Sequence, residues 1–501
     1  MTRMVENVSR RGVLKGAGIV GGLVLTAPLV SKGLMGEIKK ASGQLEATNY
    51  LSIDEDGTVN IYIHRVEMGQ GSRTGLPQII AEELDADWNR INFVAAFGDQ
   101  KFGDQNTDGS TSIRKFYDTF RHAGAAARMM LEQAAAEKWG VSPDQVTAKE
   151  HRIHNKVTGV SADYSEFVVA ASALPVPDVA KVTYKAEADR RFIGKPVRNI
   201  YMKDFVTGSS QFGQDVQREG MLYAVAKRPP VMGGKLKGYN REAAMAVAGV
   251  VDVVELPVFE KPILFKPLGG LAVLASNTYA AKKGLEAAAP EFEAGDNGGY
   301  DTTEYEKTLW QAIDGEDVNH LKRGDVDTAL ADAATVVEAD YFVPHLHHAP
   351  MEPPAATAEW QGDKLMMWVC CQDPQSVQNT VAPYVGLKPE EAHKIHVEAT
   401  LLGGAFGRKS KPDFAAEAAI LAKHAGKPVK MVWLREDDVQ HSYYHTISAQ
   451  RVKGALDADG KVTAWKHKTV FPSIFEIFNP ATDSPVPLEL GLGLLDIPFE
   501  T

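Results

Sequence analysis

Apolar and polar positions alternate from Thr58 to Ile63, with Val59, Ile61 and Ile63 on one side, which predicts a half-buried strand. A glycine turn follows, Met68-Gly69-Gln70-Gly71, and then Leu76, Ile79, Ile80 and Leu84 recur at helical spacing. The same order returns further on. Asp108-Gly109-Ser110-Thr111-Ser112 precedes an Ala-rich run with Ile113, Phe116, Phe120, Ala127, Leu131 and Ala134 on one helical face, and Gly140 ends it. Residues 141–185 read as mixed connections, with Pro175 and Pro177 marking a boundary.

From about Ile193 to Pro290 the texture changes to short β-rich runs, Met221–Ala226, Val250–Leu256 and Leu271–Ala275, before a helix at Thr278–Ala289. Glu291 to about Asp317 is acidic, polar and glycine-containing, as an exposed linker would be. Beyond it come a strand at Leu365–Cys371 and the loop Leu402-Gly403-Gly404-Ala405-Phe406-Gly407. A helix then starts at Pro412 and stops at Gly426. Strands are predicted at Val429–Leu434, His445–Leu456 and Val462–Val470, and Asp459-Gly460 is a hairpin signal between the last two. The fold class is therefore α+β and multidomain. The divisions are a leader at 1–40, a first segment at 41–189, a second domain at 190–295, a linker at 296–317 and a last domain at 318–501, which reads as interrupted at its C-terminus.

The leader is an address. Ser9, Arg10, Arg11, Leu14 and Lys15 precede an apolar stretch from Ala17 to Val30, the grammar of a twin-arginine signal for export of folded proteins to the periplasm. No clean Ala-x-Ala cleavage site follows, and an uncut segment would act as a membrane tether.

Composition narrows the function. With 501 residues, 44% hydrophobic and 24% charged, the chain is an ordinary globular protein, long enough for several cores. A net charge of −11 argues against a general nucleic-acid binder. The two cysteines, Cys370 and Cys371, are adjacent and too few for a Cys-ligated iron–sulfur cluster. They are read as small buried hydrophobes.

Three glycine loops, Gly69–Gly71, Gly109–Ser112 and Gly403–Gly407, each lead toward a helix. Helix N-termini expose unpaired N–H groups and a positive dipole end, so together the loops could grip a pyrophosphate with few Lys or Arg residues. None of the three matches a Rossmann or Walker pattern, and Gly-x-Ser-x-Gly is absent. His345, His347 and His348 are read as satisfied core or turn histidines rather than zinc ligands, because strand alternation separates the first two and no His-Glu-x-x-His helix exists. Gln372, just past an apolar strand, is a buried amide in need of partners.

Read jointly and in order, these blocks resemble the molybdenum-binding large subunit of the xanthine dehydrogenase/aldehyde oxidase family, of the isoquinoline 1-oxidoreductase beta-subunit type. The resemblance rests on Met68-Gly69-Gln70-Gly71 through Leu76-Pro77-Gln78, Glu82-Glu83-Leu84-Asp85, Gly109-Ser110-Thr111-Ser112-Ile113-Arg114 and Met351-Glu352-Pro353. It rests equally on Gln372-Asp373-Pro374-Gln375, Gly403-Gly404-Ala405-Phe406-Gly407-Arg408 and Val429 through Asp437. The glycine-glutamine-glycine block lies N-terminally, as in a permuted member, and the resemblance implies an α/β hammerhead domain over residues 190–295.

It further implies molybdopterin, as the cytosine dinucleotide, with molybdenum held by the dithiolene and by no protein ligand. The implied reaction is hydroxylation of an aldehyde or N-heteroaromatic compound with water as oxygen source. Gln372 would hydrogen-bond a molybdenum oxo group. Gly403, Gly404, Ala405, Phe406, Gly407 and Arg408 would line the cofactor, and Gln70, Gly71, Ser110, Thr111 and Ser112 would contact its pterin and phosphates. A separate small [2Fe–2S] subunit would take the electrons, with a c-type cytochrome as acceptor. The family's catalytic glutamate, in a Gly-x-Gly-Glu block, has no counterpart here, so the chain alone is expected to be inactive. The alternative is an exported non-catalytic cofactor carrier or binding module that lacks this base.

Overall fold

The computed structural model describes residues 50–316, 318–491 and 494–495, together with the backbone of Leu23–Val24. The leader's arginines lie outside the described residues. In chain order, β1 (Leu23–Val24), β2 (Leu51–Ile53) and β3 (Val59–Ile63) precede α1 (Ser72–Leu84), β4 (Ile91–Ala95) and α2 (Thr111–Trp139). A small group β5 (Val146–Lys149), β6 (Arg152–Asn155) and β7 (Ser161–Asp163) follows. Then come β8 (Leu222–Lys227), β9 (Lys235–Gly238), β10 (Val250–Leu256), β11 (Gly270–Ala275), α3 (Thr278–Ala288), β12 (Glu291–Glu293), α4 (Thr302–Ile313) and β13 (Thr335–Val343). The last stretch holds β14 (Ala355–Gln361), β15 (Lys364–Val369), α5 (Pro374–Tyr384), β16 (Ile395–Ala399), α6 (Asp413–Ala425), β17 (Val429–Val432), β18 (Ser448–Leu456) and β19 (Val462–Val470).

Two compact units share the chain, and neither is continuous in sequence. The first takes the residues up to Arg218 and then Ala355–Ala415; the second takes Glu219–Pro354 and everything from Ala416 on. In the first unit, β2 and β3 run antiparallel and β3 and β4 parallel. The helical faces expected at Leu76, Ile79, Ile80, Leu84 and at Phe116, Phe120, Ala127, Leu131, Ala134 are buried in one core with Ile53, Val59, Ile61 and Ile63. Ile113 is the exception and is 40% exposed. Helices α1 and α2 approach closely at Gly124, where an added Cβ would sit 2.6 Å from the Ile80 carbonyl. Gly140 ends α2 in the left-handed conformation, as its sequence position suggests.

The acidic run closing α1 is structural. Glu82 accepts from the backbone N–H groups of Arg191, Phe192 and Ile193, and Lys185 bridges Glu82 and Asp85 at 2.8 and 2.7 Å. Glu83 pairs with Arg121 at 2.7 Å. These bonds hold the returning segment 185–193 against the helix pair.

In the second unit, β10, β11 and β8 are antiparallel neighbours, and β17 joins β8 in parallel. A second sheet, β13-β18-β19, is antiparallel, and β18–β19 form the hairpin announced by Asp459-Gly460. Arg228 and Glu417 form a fully buried pair capped by Trp433, whose Nε1–H donates to Glu417 at 2.9 Å while the Arg228 guanidinium lies 3.5 Å over its ring.

Two expectations are corrected here. The segment read as an exposed linker, 296–317, instead carries α4, capped by Asp301, whose Leu309 and Ile313 pack on Ile447 and Ala449. An acidic helix that buries two residues per three turns leaves mostly polar letters in the sequence. Within the mixed connections of 141–185, β5–β7 form an antiparallel three-stranded sheet that is too short to show a period.

Candidate cofactor cradle

All three glycine loops belong to the first unit, and buried hydrogen bonds tie them together. Gln372 is 2% exposed. Its Nε2–H donates to the Thr107 carbonyl at 2.8 Å, and its Oε1 accepts from the Gly407 N–H at 2.9 Å. Its backbone completes the join, because Thr107 N–H donates to the Gln372 carbonyl at 3.0 Å and Gln372 N–H to the Lys409 carbonyl at 2.9 Å. The strand-end glutamine thus joins the second and third loops, and the partners its burial demanded are backbone groups. A side-chain amide has two N–H donors, so one beyond the Thr107 bond remains for another acceptor.

The first loop joins through Val66 and Glu67. Val66 N–H donates to Thr107 Oγ1 at 3.1 Å, and Leu402 N–H donates to the Glu67 carbonyl at 3.0 Å. Gln70 is exposed, but its amide is spent on its own turn. Its Oε1 accepts from Met68 N–H, and its Nε2 donates to the Val66 carbonyl and to Ser72 Oγ. Gly69 and Gly71 have φ of 103° and 83°, and an added Cβ at either would meet nothing within 4 Å.

The expectation of an open anion site at this helix N-terminus is corrected. The Glu67 carboxylate already accepts from Gly69 N–H and Gly71 N–H, both at 2.9 Å, and from Arg73 N–H at 3.3 Å. Glu67 is 2% exposed and escaped the sequence reading. The signal was an acidic residue two places before a Gly-x-Gly turn, where orphan N–H groups need an acceptor.

The second loop enters α2 through Gly109 (φ 52°) and Ser110 (φ 55°), a left-handed pair. Gly109, Ser110 and the start of α2 lie toward solvent, with Ser112 buried. Thr111 Oγ1 donates to the Asp108 carbonyl at 2.8 Å. The third loop does not run straight into a helix as expected. A single 3₁₀ turn, Arg408–Ser410, intervenes before α6 at Asp413. Phe406 sits at φ 55° and is 67% exposed, a left-handed aromatic on a loop of glycines. Ala405 is buried, and the Arg408 guanidinium is enclosed in a bidentate pair with Asp413, both bonds 2.9 Å.

Charge gathers at the second and third loops. Asp104 holds both Arg65, at 3.3 Å, and Lys115. Burial lifts the Asp104 carboxyl, but the bonds from Lys115 and Asn106 bring it below the usual range. Asp108 is pushed up by burial and by Asp104. Lys411 donates to the Gly407 carbonyl at 3.0 Å, and burial together with Arg408 lowers its ammonium. Beside this set, His64 is packed against the Phe116 ring at 4.3 Å, and burial followed by Arg65 pushes it down to about 3.

The remaining motifs are occupied elsewhere. In the second unit, His345 contacts Tyr300 at 3.0 Å, His347 faces Asp438 at 3.2 Å and His348 pairs with Ser442 at 3.0 Å. Arg435 holds the carbonyls of Pro350 and Met351, which orders the Met-Glu-Pro turn. Cys370 and Cys371 are fully buried, and burial holds the Cys371 thiol well above its ordinary range.

Two family profiles, each described as a molybdopterin cofactor-binding domain, match residues 6–206 and 311–472, most of the chain between them. The chain belongs to the molybdopterin-binding subunits of the xanthine dehydrogenase/aldehyde oxidase family. Among similar members is the beta chain of isoquinoline 1-oxidoreductase from Brevundimonas diminuta, 28% identical over 98% of this chain and 68% of that protein. The membrane-bound aldehyde dehydrogenase (pyrroloquinoline-quinone) of Gluconacetobacter polyoxogenes is 29% identical over 93% of this chain and 60% of its own length. A nicotinate dehydrogenase subunit of Pseudomonas putida is 24% identical over 89% of this chain and 36% of its own. The chain thus spans between about a third and two thirds of these family members.

Proposed function

We propose that this chain supplies the molybdenum-cofactor cradle of a hydroxylase that oxidises an aldehyde or an N-heteroaromatic compound, with water as the oxygen source. The observation that carries the reading is the Gln372 amide, which holds Thr107, in the loop leading to α2, and Gly407 together so that the second and third loops are joined. The residues fit a large anionic cofactor. Left-handed backbone at Gly109, Ser110, Gly404, Phe406 and Gly407 shapes the second and third loops, the hydroxyls of Ser110 and Ser112 add donors, and the open faces of Gly69 and Gly71 let a ligand come close.

In this reading Gln70 and Gly71 form a close-approach surface. Ser110 and Ser112 would take the phosphates of the cytosine dinucleotide form, with Thr111, bonded to the Asp108 carbonyl, shaping the turn between them. Gly403 through Gly407 line the pterin, and the backbone of Arg408 continues that wall. Gln372 would turn its second N–H toward the bound metal group. The bound cofactor supplies two-electron redox chemistry that protein side chains lack. Substrates of the aldehyde and N-heterocycle classes accord with the names of the similar proteins.

Electrons then leave the chain. Its two cysteines cannot hold the family's clusters, so a small [2Fe–2S] subunit is the acceptor, passing electrons to a c-type cytochrome. Arg10-Arg11 and the apolar stretch behind them support export of the folded, loaded complex to the periplasm, with the leader as a membrane tether if it stays uncut.

Elemental analysis of the native complex, purified with whatever subunits accompany it, tests this. About one molybdenum per copy of this chain, with iron on a copurifying small subunit, is the expected result. A well-folded complex without molybdenum would overturn it.

A further inference from the structure

We infer that Glu67 is the positioning residue of the cradle, its carboxylate serving as a built-in anion that fixes the first loop's shape while its main-chain carbonyl ties that loop to the third; this rests on the cofactor reading above. The N-terminus of α1 carries a positive dipole end and orphan N–H groups that seek a negative partner. In this chain the partner is internal. One carboxylate, 2% exposed, collects Gly69 N–H and Gly71 N–H on Oε1 and Arg73 N–H on Oε2. A buried carboxylate without such donors would cost heavily, so the loop and the acid stabilise one another.

The same residue works at both ends. Its main-chain carbonyl accepts from Leu402 N–H, immediately before Gly403, while its side chain holds Gly69 and Gly71. Val66, one residue earlier, is bonded to Thr107. Residues 66 and 67 are therefore the hub on which all three loops are hung. The glycine faces that the carboxylate orients are the open ones, with nothing within 4 Å of an added Cβ at Gly69 or Gly71. Glu67 touches the peptide groups behind this surface, so it acts on a ligand only through the loop's shape.

Two variants of the full chain in its native complex test the role, Glu67→Leu and Glu67→Gln. The readouts are molybdenum per chain after gel filtration and hydrogen exchange of the backbone amides. Glu67→Leu removes both carboxylate acceptors but keeps the main-chain bond to Leu402, and it is expected to speed exchange at Gly69, Gly71 and Arg73, to leave Ser112 unchanged, and to lower retained molybdenum about ten-fold, the equivalent of one charge-assisted bond. Glu67→Gln keeps one oxygen for Gly69 and Gly71, so it is expected to restore most of the loading while exchange at Arg73 stays fast. Full molybdenum loading in Glu67→Leu, or unchanged exchange at residues 69–73, would overturn the inference. Should Glu67→Leu fail to fold, wild-type exchange at Arg73 in Glu67→Gln would overturn it equally. A wild-type complex lacking molybdenum would sink the cofactor reading instead, and the exchange pattern would still decide the role of Glu67.

Discussion

Gln372 and Thr107 stand 265 residues apart and bond to each other twice, Thr107 N–H to the Gln372 carbonyl at 3.0 Å and Gln372 Nε2–H to the Thr107 carbonyl at 2.8 Å. Replacing Gln372 by Ala keeps the first bond, breaks the second and strips the acceptor from Gly407 N–H. The expected cost is about 1–3 kcal/mol, since buried groups are left unsatisfied. Thermal unfolding should show the loss and hydrogen exchange should show a faster Gly407 amide. Turnover of the complete enzyme is expected to fall, and undiminished turnover would remove Gln372 from the metal's surroundings.

His64 makes the first unit acid-sensitive. Its folded pKa is about 3, from burial first and then Arg65, against an ordinary 6.5. A lowered histidine pKa means the unfolded chain binds more protons between these values, so stability is complete above about pH 6.5 and falls as pH drops toward 3. The full penalty is on the order of 5 kcal/mol at the acid end. Denaturant titrations from pH 7 to pH 4 should show a shallower loss in His64→Phe than in the wild type. Identical slopes would mean that His64 does not titrate across this window.

The Arg228–Glu417 pair in the second unit is fully buried and shared with Trp433. Glu417→Leu strands a guanidinium and is expected to cost about 3–5 kcal/mol, whereas adding Arg228→Met to Glu417→Leu should recover most of that loss. A double-mutant cycle by chemical denaturation reads the coupling directly. Additive costs would show that the two side chains act independently.

Gly124 sits where α2 crosses α1. Alanine there would place its Cβ 2.6 Å from the Ile80 carbonyl and 3.0 Å from Glu83 Cβ. Helix propensity favours the change, but the clash should dominate, destabilising by about 1–3 kcal/mol. Calorimetry of Gly124→Ala gives the sign.

How far the sequence carried depended on periodicity. The helices after Gly71 and Ser110 were legible because long amphipathic runs with glycine stops have few alternative readings. Strand β13 was missed because its residues are mostly exposed on both faces, so no alternation marks it. Helix α4 hid in an acidic stretch for a similar reason, with only Leu309 and Ile313 buried. At the site, the glycine loops and Gln372 stood out by residue type. Glu67 did not, because its role depends on which N–H groups the folded turn aims at it, and a lone acid carries no such direction in sequence. The charge set of Arg65, Asp104 and Lys115 was equally invisible, being assembled across the first unit by the fold.

The discontinuity of the first unit also sets a schedule for its synthesis. Thr107 leaves the ribosome long before Gln372, and the 265 residues between them take roughly 13–50 s to make at ordinary elongation rates. Throughout that interval the N-terminal loops have their helices but lack the glutamine and the third loop that close the cradle. The cradle's completion thus waits for the third loop. A cofactor that requires all three loops can be received only once the chain has passed Gly407, which separates its insertion in time from the folding of the N-terminal helices.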